Sequence, residues 1–233
     1  MIRHLLRYLS LLAIAVTMEA KQETFDIEVL NWNPRIILLH NFLNKKECAH
    51  LIAQATPRLE RSETLDGESG EGKVVEERTS YGMFFEERGC DFIIERIEEK
   101  ISHLTMMPVA CGESIQVLRY GPGEEFKPHY DYFDSNSIGG KAALANGGQR
   151  IATLIMYLNS VEEGGETIFP EIDLKITPKK GNAILFYNCR PDGKEDPLTC
   201  HGGAPVIQGT KWIATKWIHL EEVQYKQTEQ SSL

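Results

Sequence analysis

ESIQVLRY (113–120), KPHYDYF (127–133), RIATLIMYL (150–158), DLKITP (173–178), NAILFYN (182–188) and KWIATKWIHL (211–220) are six short segments rich in Ile, Val, Leu, Thr and aromatics. GPGEE, SNSIGGKAALANGG, EEGGE, PKKG and RPDGKEDP separate them. Clusters of Gly, Pro, Asn and Asp such as these interrupt strands, so the pattern predicts a barrel or sandwich rather than a doubly wound parallel sheet.

Upstream, FDIEVLNWNPRIILLHNF (25–42) reads as one or two strands interrupted at Asn33-Pro34. Asn44 is a candidate N-cap for a helix to about Ala55, with Cys48, Leu51 and Ile52 on one face and a stop at Pro57. RSETLDGESGEGKVVEE (61–77) is polar and glycine-punctuated, the composition of a mobile loop and a candidate lid. A second helix is predicted from Glu86 to about His103, because Phe92, Ile93, Ile97 and Ile101 recur at helical spacing while Glu95, Arg96, Glu98, Glu99 and Lys100 face water. The expected architecture is α+β, mainly β, with N-terminal helices packed on an all-β core in one domain over residues 21–233.

MIRHLLRYLSLLAIAVTMEA (1–20) places Arg3 and Arg7 before an apolar stretch from Tyr8 to Met18. This fits a signal peptide or signal anchor and falls short of the about 20 residues of a spanning helix. It predicts the secretory pathway (the endoplasmic reticulum lumen) or export to a periplasm, with a membrane tether if the segment is uncleaved. The alternative is a cytoplasmic protein whose first segment is a buried or amphipathic helix. The chain of 233 residues carries 34 acidic and 25 basic residues for a net charge of −9, which disfavours a nucleic-acid partner. Of the five cysteines, Cys189 and Cys200 flank a Pro-Asp-Gly-Lys turn that would let them pair in an oxidising compartment; small free thiols are the other reading.

The chemistry concentrates at His129-Tyr130-Asp131. Residues i and i+2 of a strand share a face, so one imidazole and one carboxylate would point together into the barrel mouth. His201, followed by Gly202-Gly203 where the backbone can approach a neighbour closely, supplies a further donor. Two His and one carboxylate are the ligand set of the facial triad that leaves positions open on non-heme Fe(II), although the tripeptide by itself is more commonly a hydrogen-bonded or solvated His-x-Asp. A strand from His201, a turn and a returning strand would bring Lys211 back to the same cavity, where its ammonium could hold a carboxylate. This set describes a 2-oxoglutarate-dependent dioxygenase.

From about Pro34 to Leu220 the sequence resembles the catalytic domain of prolyl 4-hydroxylases, through RTSYGMFF (78–85), IQVLRYGPGEEFKPHYDYF (115–133), GGQRIATLIMYLNSVEEGGETIFP (147–170), GNAILFYN (181–188) and DPLTCHGGAPVIQGTKWIATKWIHL (196–220). The resemblance implies a double-stranded β-helix (jelly-roll) core and 4-hydroxylation of peptidyl proline in proline-rich or collagen-like peptides, with succinate and CO2 as by-products. It implies Fe(II) on His129, Asp131 and His201, and Lys211 on the distal carboxylate of 2-oxoglutarate. Tyr120, Thr167 and Trp217 would complete that co-substrate pocket, and ascorbate would serve as reductant. Glu113, Arg150 and His219 match positions near the family's peptide groove, while Arg78 and Ser80 match the start of its flap. Phe126 departs from the Tyr that relatives often carry, removing a hydroxyl near the substrate. Oligomeric state stays open, since the family includes monomers and dimers.

Overall fold

The computed structural model describes residues 25–65, 72–85 and 91–224. Residues 1–24, with the segment 1–20 expected to be a signal peptide or anchor, residues 66–71 of the polar loop, residues 86–90 with Cys90, and residues 225–233 lie outside the described residues. Two strands, β1 (Asp26–Trp32) and β2 (Arg35–His40), flank the Asn33-Pro34 turn. In α1 (Lys45–Ala55) the Asn44 side chain accepts from the Lys46 and Glu47 amides while Glu47 accepts the Asn44 N–H, a reciprocal cap that fixes the helix start. At its end Thr56–Arg58 tighten into one 3-10 turn around Pro57.

The polar loop has more structure than its composition predicts: β3 (Glu60–Arg61) joins the main sheet, and β4 (Thr64–Leu65) pairs with β5 (Gly72–Lys73). After β6 (Tyr81–Phe84), α2 spans Phe92–Thr105. It starts later than Glu86 because Asp91, in extended conformation, caps the Ile93 and Ile94 amides, a signal invisible to apolar spacing. Glu98 and Lys100 of α2 do not simply face water. Glu98 meets the buried Lys216 ammonium at 2.7 Å, and Lys100 donates to the Phe42 carbonyl at 3.0 Å, so both tie the helix to the rest of the fold.

Next come β7 (Gln116–Tyr120) and β8 (Phe126–His129). The glycine-rich stretch after them contains a short helix, α3 (Ile138–Leu144), which the sequence reading treats as a loop. Ser137 caps it, and the Gly140 that looks like a breaker is there because a Cβ would collide with the Asp134 carbonyl. The chain continues through β9 (Arg150–Tyr157), β10 (Glu163–Gly164), β11 (Thr167–Phe169), β12 (Leu174–Ile176), β13 (Ala183–Tyr187), β14 (His201–Gly203), β15 (Val206–Gln208) and β16 (Lys211–His219). Cys189 and Cys200 are buried free thiols. Cys189 bridges Glu195 as the intervening turn closes on itself, so the hairpin's register partner is Glu195 and not Cys200.

All strand pairs are antiparallel. The larger sheet runs β1-β2-β13-β9-β16-β7-β6-β3 and the smaller β12-β11-β14-β8, with β10-β15 as a separate ribbon. This is a double-stranded β-helix, or jelly roll. The period-two alternation of strands divides each residue set between two layers. On β9, Ala152, Leu154 and Met156 pack toward α1 and α2, while Ile155 and Tyr157 pack toward the smaller sheet. On β16, Ala214 and Ile218 join the helix layer, whereas Lys211, Ile213, Thr215 and Trp217 line a cavity between the sheets. Among the described residues, no helix is long and apolar enough to cross a membrane.

Candidate active site

His129 is the last residue of β8 and His201 the first of β14, and the two are register partners with ring centroids 4.4 Å apart. Asp131 lies in the bend just beyond β8, so the turn and not strand alternation aims it inward. Its Oδ1 is 3.6 Å from His129 Nε2 and its Oδ2 is 3.5 Å from His201 Nε2. The Nδ1 atoms of both rings face backbone carbonyls, Lys127 at 2.9 Å and Thr199 at 3.1 Å. A carbonyl accepts only, so Nδ1 carries the proton and each Nε2 lone pair is turned toward Asp131.

Burial pushes the His201 imidazole down to about 4, outweighing the opposite pull of Asp131, so the ring is neutral at pH 7. Burial alone would raise Asp131, but His201, His129 and Arg150 hold it well below the usual carboxylate range. One carboxylate and two outward Nε2 lone pairs, all within 4.8 Å of one another, fit a divalent iron bound through a facial triad.

Lys211 reaches this cavity by a different path from the predicted hairpin. β14 belongs to the smaller sheet and β16 to the larger, and β15 carries the chain across before Lys211 opens β16 opposite Tyr120. The Lys211 side chain is buried with Nζ 5.5 Å from the Tyr120 ring, and among the described residues no carboxylate pairs with it. Burial drives its pKa down to about 8, against the opposing pull of Glu166. Thr167 accepts a 2.8 Å hydrogen bond from Tyr157, and the buried Trp217 Nε1 has no hydrogen-bond partner among the described residues. A buried ammonium with no ion-pair contact among the described residues, in one cavity with an indole N–H and a hydroxyl, fits a carboxylate-bearing co-substrate.

A family model described as the 2OG-Fe(II) oxygenase superfamily matches residues 115–219, which span the triad and Lys211. Prolyl 4-hydroxylase 5 of Arabidopsis thaliana is 44% identical over 215 residues, covering 84% of this chain and 72% of that protein. The chain belongs to the prolyl 4-hydroxylase family. Probable prolyl 4-hydroxylase 3 of the same plant is also 44% identical, with the same coverage. Among solved structures, the 2-oxoglutarate complex of the viral collagen prolyl hydroxylase from Paramecium Bursaria Chlorella virus-1 matches with a TM-score of 0.60 and 33% identity, over 78% of this chain and 94% of that one.

The other residues singled out from the sequence fall into two places. Arg78 lines the cavity, donating to the Glu63 carbonyl and the Gln116 amide oxygen, each at 2.8 Å, with its guanidinium 4.9 Å over the Phe126 ring. Phe126 in turn stacks on the His129 ring at 3.6 Å, so a packing role fills the place of the missing hydroxyl. Ser80 is buried behind that wall, donating to Ser62 Oγ at 2.9 Å.

Glu113, Arg150 and His219 form a separate cluster. Glu113 accepts from Arg150 Nη2 at 2.9 Å and from His219 Nε2 at 2.8 Å, and the Arg150 guanidinium lies 4.4 Å over the Trp217 ring. Burial would raise Glu113, but the Arg150 charge and the hydrogen bonds from His219 and Arg150 bring it down to about 2. The cavity wall includes neither this cluster nor Ser80; the cluster reaches the site through Trp217 and through Arg150 Nη1, 3.5 Å from the Asp131 carbonyl.

Sequence reasoning missed Tyr157, Thr153 and Asn188. Thr153 donates to Asp131 Oδ2 at 2.8 Å and accepts from Asn188 Nδ2 at 3.0 Å. Counting alternation along β9 would have placed Thr153 and Tyr157 on the inner face with Ile155; nothing local in the sequence marks Asn188.

Proposed function

We propose that this protein hydroxylates C4 of peptidyl proline in proline-rich or collagen-like peptides, consuming O2 and 2-oxoglutarate and releasing succinate and CO2. The observation that carries this reading is the buried Lys211, with no ion-pair contact among the described residues, in one cavity with His129, Asp131 and His201. Iron held by that triad would supply the oxidative chemistry. His129 and His201 contribute Nε2 and Asp131 contributes its anionic carboxylate. Lys211 neutralises the distal carboxylate of 2-oxoglutarate, and Thr167, Tyr120 and Trp217 orient the molecule. The flanking sheets exclude water from the reacting atoms.

Polyproline-II segments dock on aromatic surfaces, and the exposed Tyr130, tilted against Tyr132 at 4.8 Å between ring centroids, offers one beside Asp131. Arg78 and Ser80 anchor the base of the flap over 61–80, and Glu113, Arg150 and His219 stand ready to shape the peptide groove beside Trp217. Ascorbate would serve as the reductant. The basic-then-apolar leader supports entry into the secretory pathway or export, where extended proline-rich chains are accessible.

The test is purified protein with Fe(II), 2-oxoglutarate, ascorbate and a panel of proline-rich peptides, followed by mass spectrometry and succinate assay. Gain of one oxygen atom at proline with matching succinate is expected. No gain on any peptide together with no uncoupled succinate overturns the reading. Omitting ascorbate should end turnover early, and tagging the chain behind residues 1–20 reports its compartment.

A further inference from the structure

We infer that Thr153 and Asn188 are positioning residues that hold the Asp131 carboxylate in a one-oxygen ligand geometry. Both side chains are fully buried, Thr153 on the inner face of β9 and Asn188 just past β13. The direction of the chain of bonds follows from which atoms can donate. Asn188 Nδ2 donates to Thr153 Oγ1 at 3.0 Å, which occupies a lone pair of that hydroxyl. The oxygens of a carboxylate that serves as a ligand accept only. The single hydroxyl hydrogen of Thr153 is therefore left to point at Asp131 Oδ2, at 2.8 Å. With Oδ2 engaged, Oδ1 faces the His129 Nε2 as the freer oxygen.

A carboxylate that bound through both oxygens would take one of the positions a facial triad keeps open for co-substrate and O2. The relay opposes that. Asn188 also has a cost that an apolar residue in the same place would avoid, because its Oδ1 is buried without a hydrogen-bond partner among the described residues. The backbone of Asn188 is held on both sides, donating to the Ile151 carbonyl and accepting from the Asp196 amide, each at 2.9 Å, so its amide is aimed by a rigid frame. Residues that orient a ligand in this way tune metal affinity as well as geometry.

This inference rests on the triad being a metal site, and the experiment separates the two. Co(II) is titrated into the metal-free protein and followed by its visible d–d absorption, which reports coordination number. Thr153→Val should weaken Co(II) binding roughly 10- to 100-fold and alter the band shape. Thr153→Ser should restore both. Asn188→Ala should weaken binding in the wild-type background and add little on top of Thr153→Val, since the two act in series. Unaltered Co(II) affinity and spectrum in folded Thr153→Val overturns the relay. If that variant loses its circular-dichroism signature, Asn188→Ala decides by the same readings. Absence of Co(II) binding to the wild type, or unchanged binding in His129→Ala, overturns the metal site itself.

Discussion

His201 and His129 stand opposite each other across the β14–β8 ladder, ring centroids 4.4 Å apart, although β9 to β13 lie between them in the chain. The pairing depends on Gly202. A Cβ there would sit 2.8 Å from the Phe126 carbonyl oxygen and 3.1 Å from Pro128 N, both backbone atoms that cannot swing away. Gly202→Ala is expected to cost roughly 1–3 kcal/mol by overpacking and to weaken metal binding by parting the two imidazoles. Denaturant unfolding and metal titration check both effects; wild-type metal affinity in this variant would contradict the account.

Lys211 makes the site a stability cost. Its folded pKa of about 8 lies below the ordinary 10.5, so the cost is complete below pH 8 and fades as pH rises from 8 to 10.5. By that linkage Lys211→Met should stabilise the metal-free protein by roughly 3 kcal/mol at pH 7. The same variant should raise the 2-oxoglutarate requirement roughly 10- to 100-fold, the loss of a charged hydrogen bond. In the wild type, co-substrate affinity should decline above pH 8 as the ammonium deprotonates. Thermal melts across pH and 2-oxoglutarate titrations report these outcomes.

Tyr157 is fully buried and gives its hydroxyl hydrogen to Thr167, which leaves the Thr167 hydrogen free for the cavity. Tyr157→Phe removes that direction and should raise KM for 2-oxoglutarate about fivefold, in line with about 1 kcal/mol for a neutral hydrogen bond. Metal affinity should not change, because Tyr157 does not touch the triad. A fall in kcat with KM unaltered would argue against this role.

Glu113 holds charge where Arg150 and His219 meet. Its folded pKa of about 2 against 4.5 contributes stability that is present above pH 4.5 and lost as pH falls toward 2. Glu113→Gln is expected to lose roughly 3 kcal/mol at pH 7 and to flatten the acid limb of the stability profile. Chemical unfolding from pH 2 to 7 tests it.

Strands β1, β2, β7, β8, β9, β12, β13 and β16 and α1 with its Asn44 cap were legible in the sequence because alternation and a capping motif are local patterns, and His129 and Asp131 were legible as a close pair although a bend aims Asp131. The start of α2 and the existence of α3 were less so, since Asp91 and Ser137 act through single hydrogen bonds and Gly140 reads as a breaker until its contact with Asp134 is seen. Glu98 and Lys100 carry charges that predict exposure. Partners from distant segments, Lys216 and the Phe42 carbonyl, drew them inward.

The sequence by itself determined which donors this protein has, His129, Asp131, His201 and Lys211, and that they sit on a β-rich frame, because side-chain chemistry and strand period are local properties. Tertiary structure alone decided how they meet. Lys211 enters from the larger sheet and the histidines from the smaller, Asp131 is aimed by a bend, and Thr153 with Asn188 orients it across two strands. Hydrogen-bond direction and the orientation of a buried carboxylate depend on neighbours far away in the chain, and only the packed sheets bring those neighbours within reach.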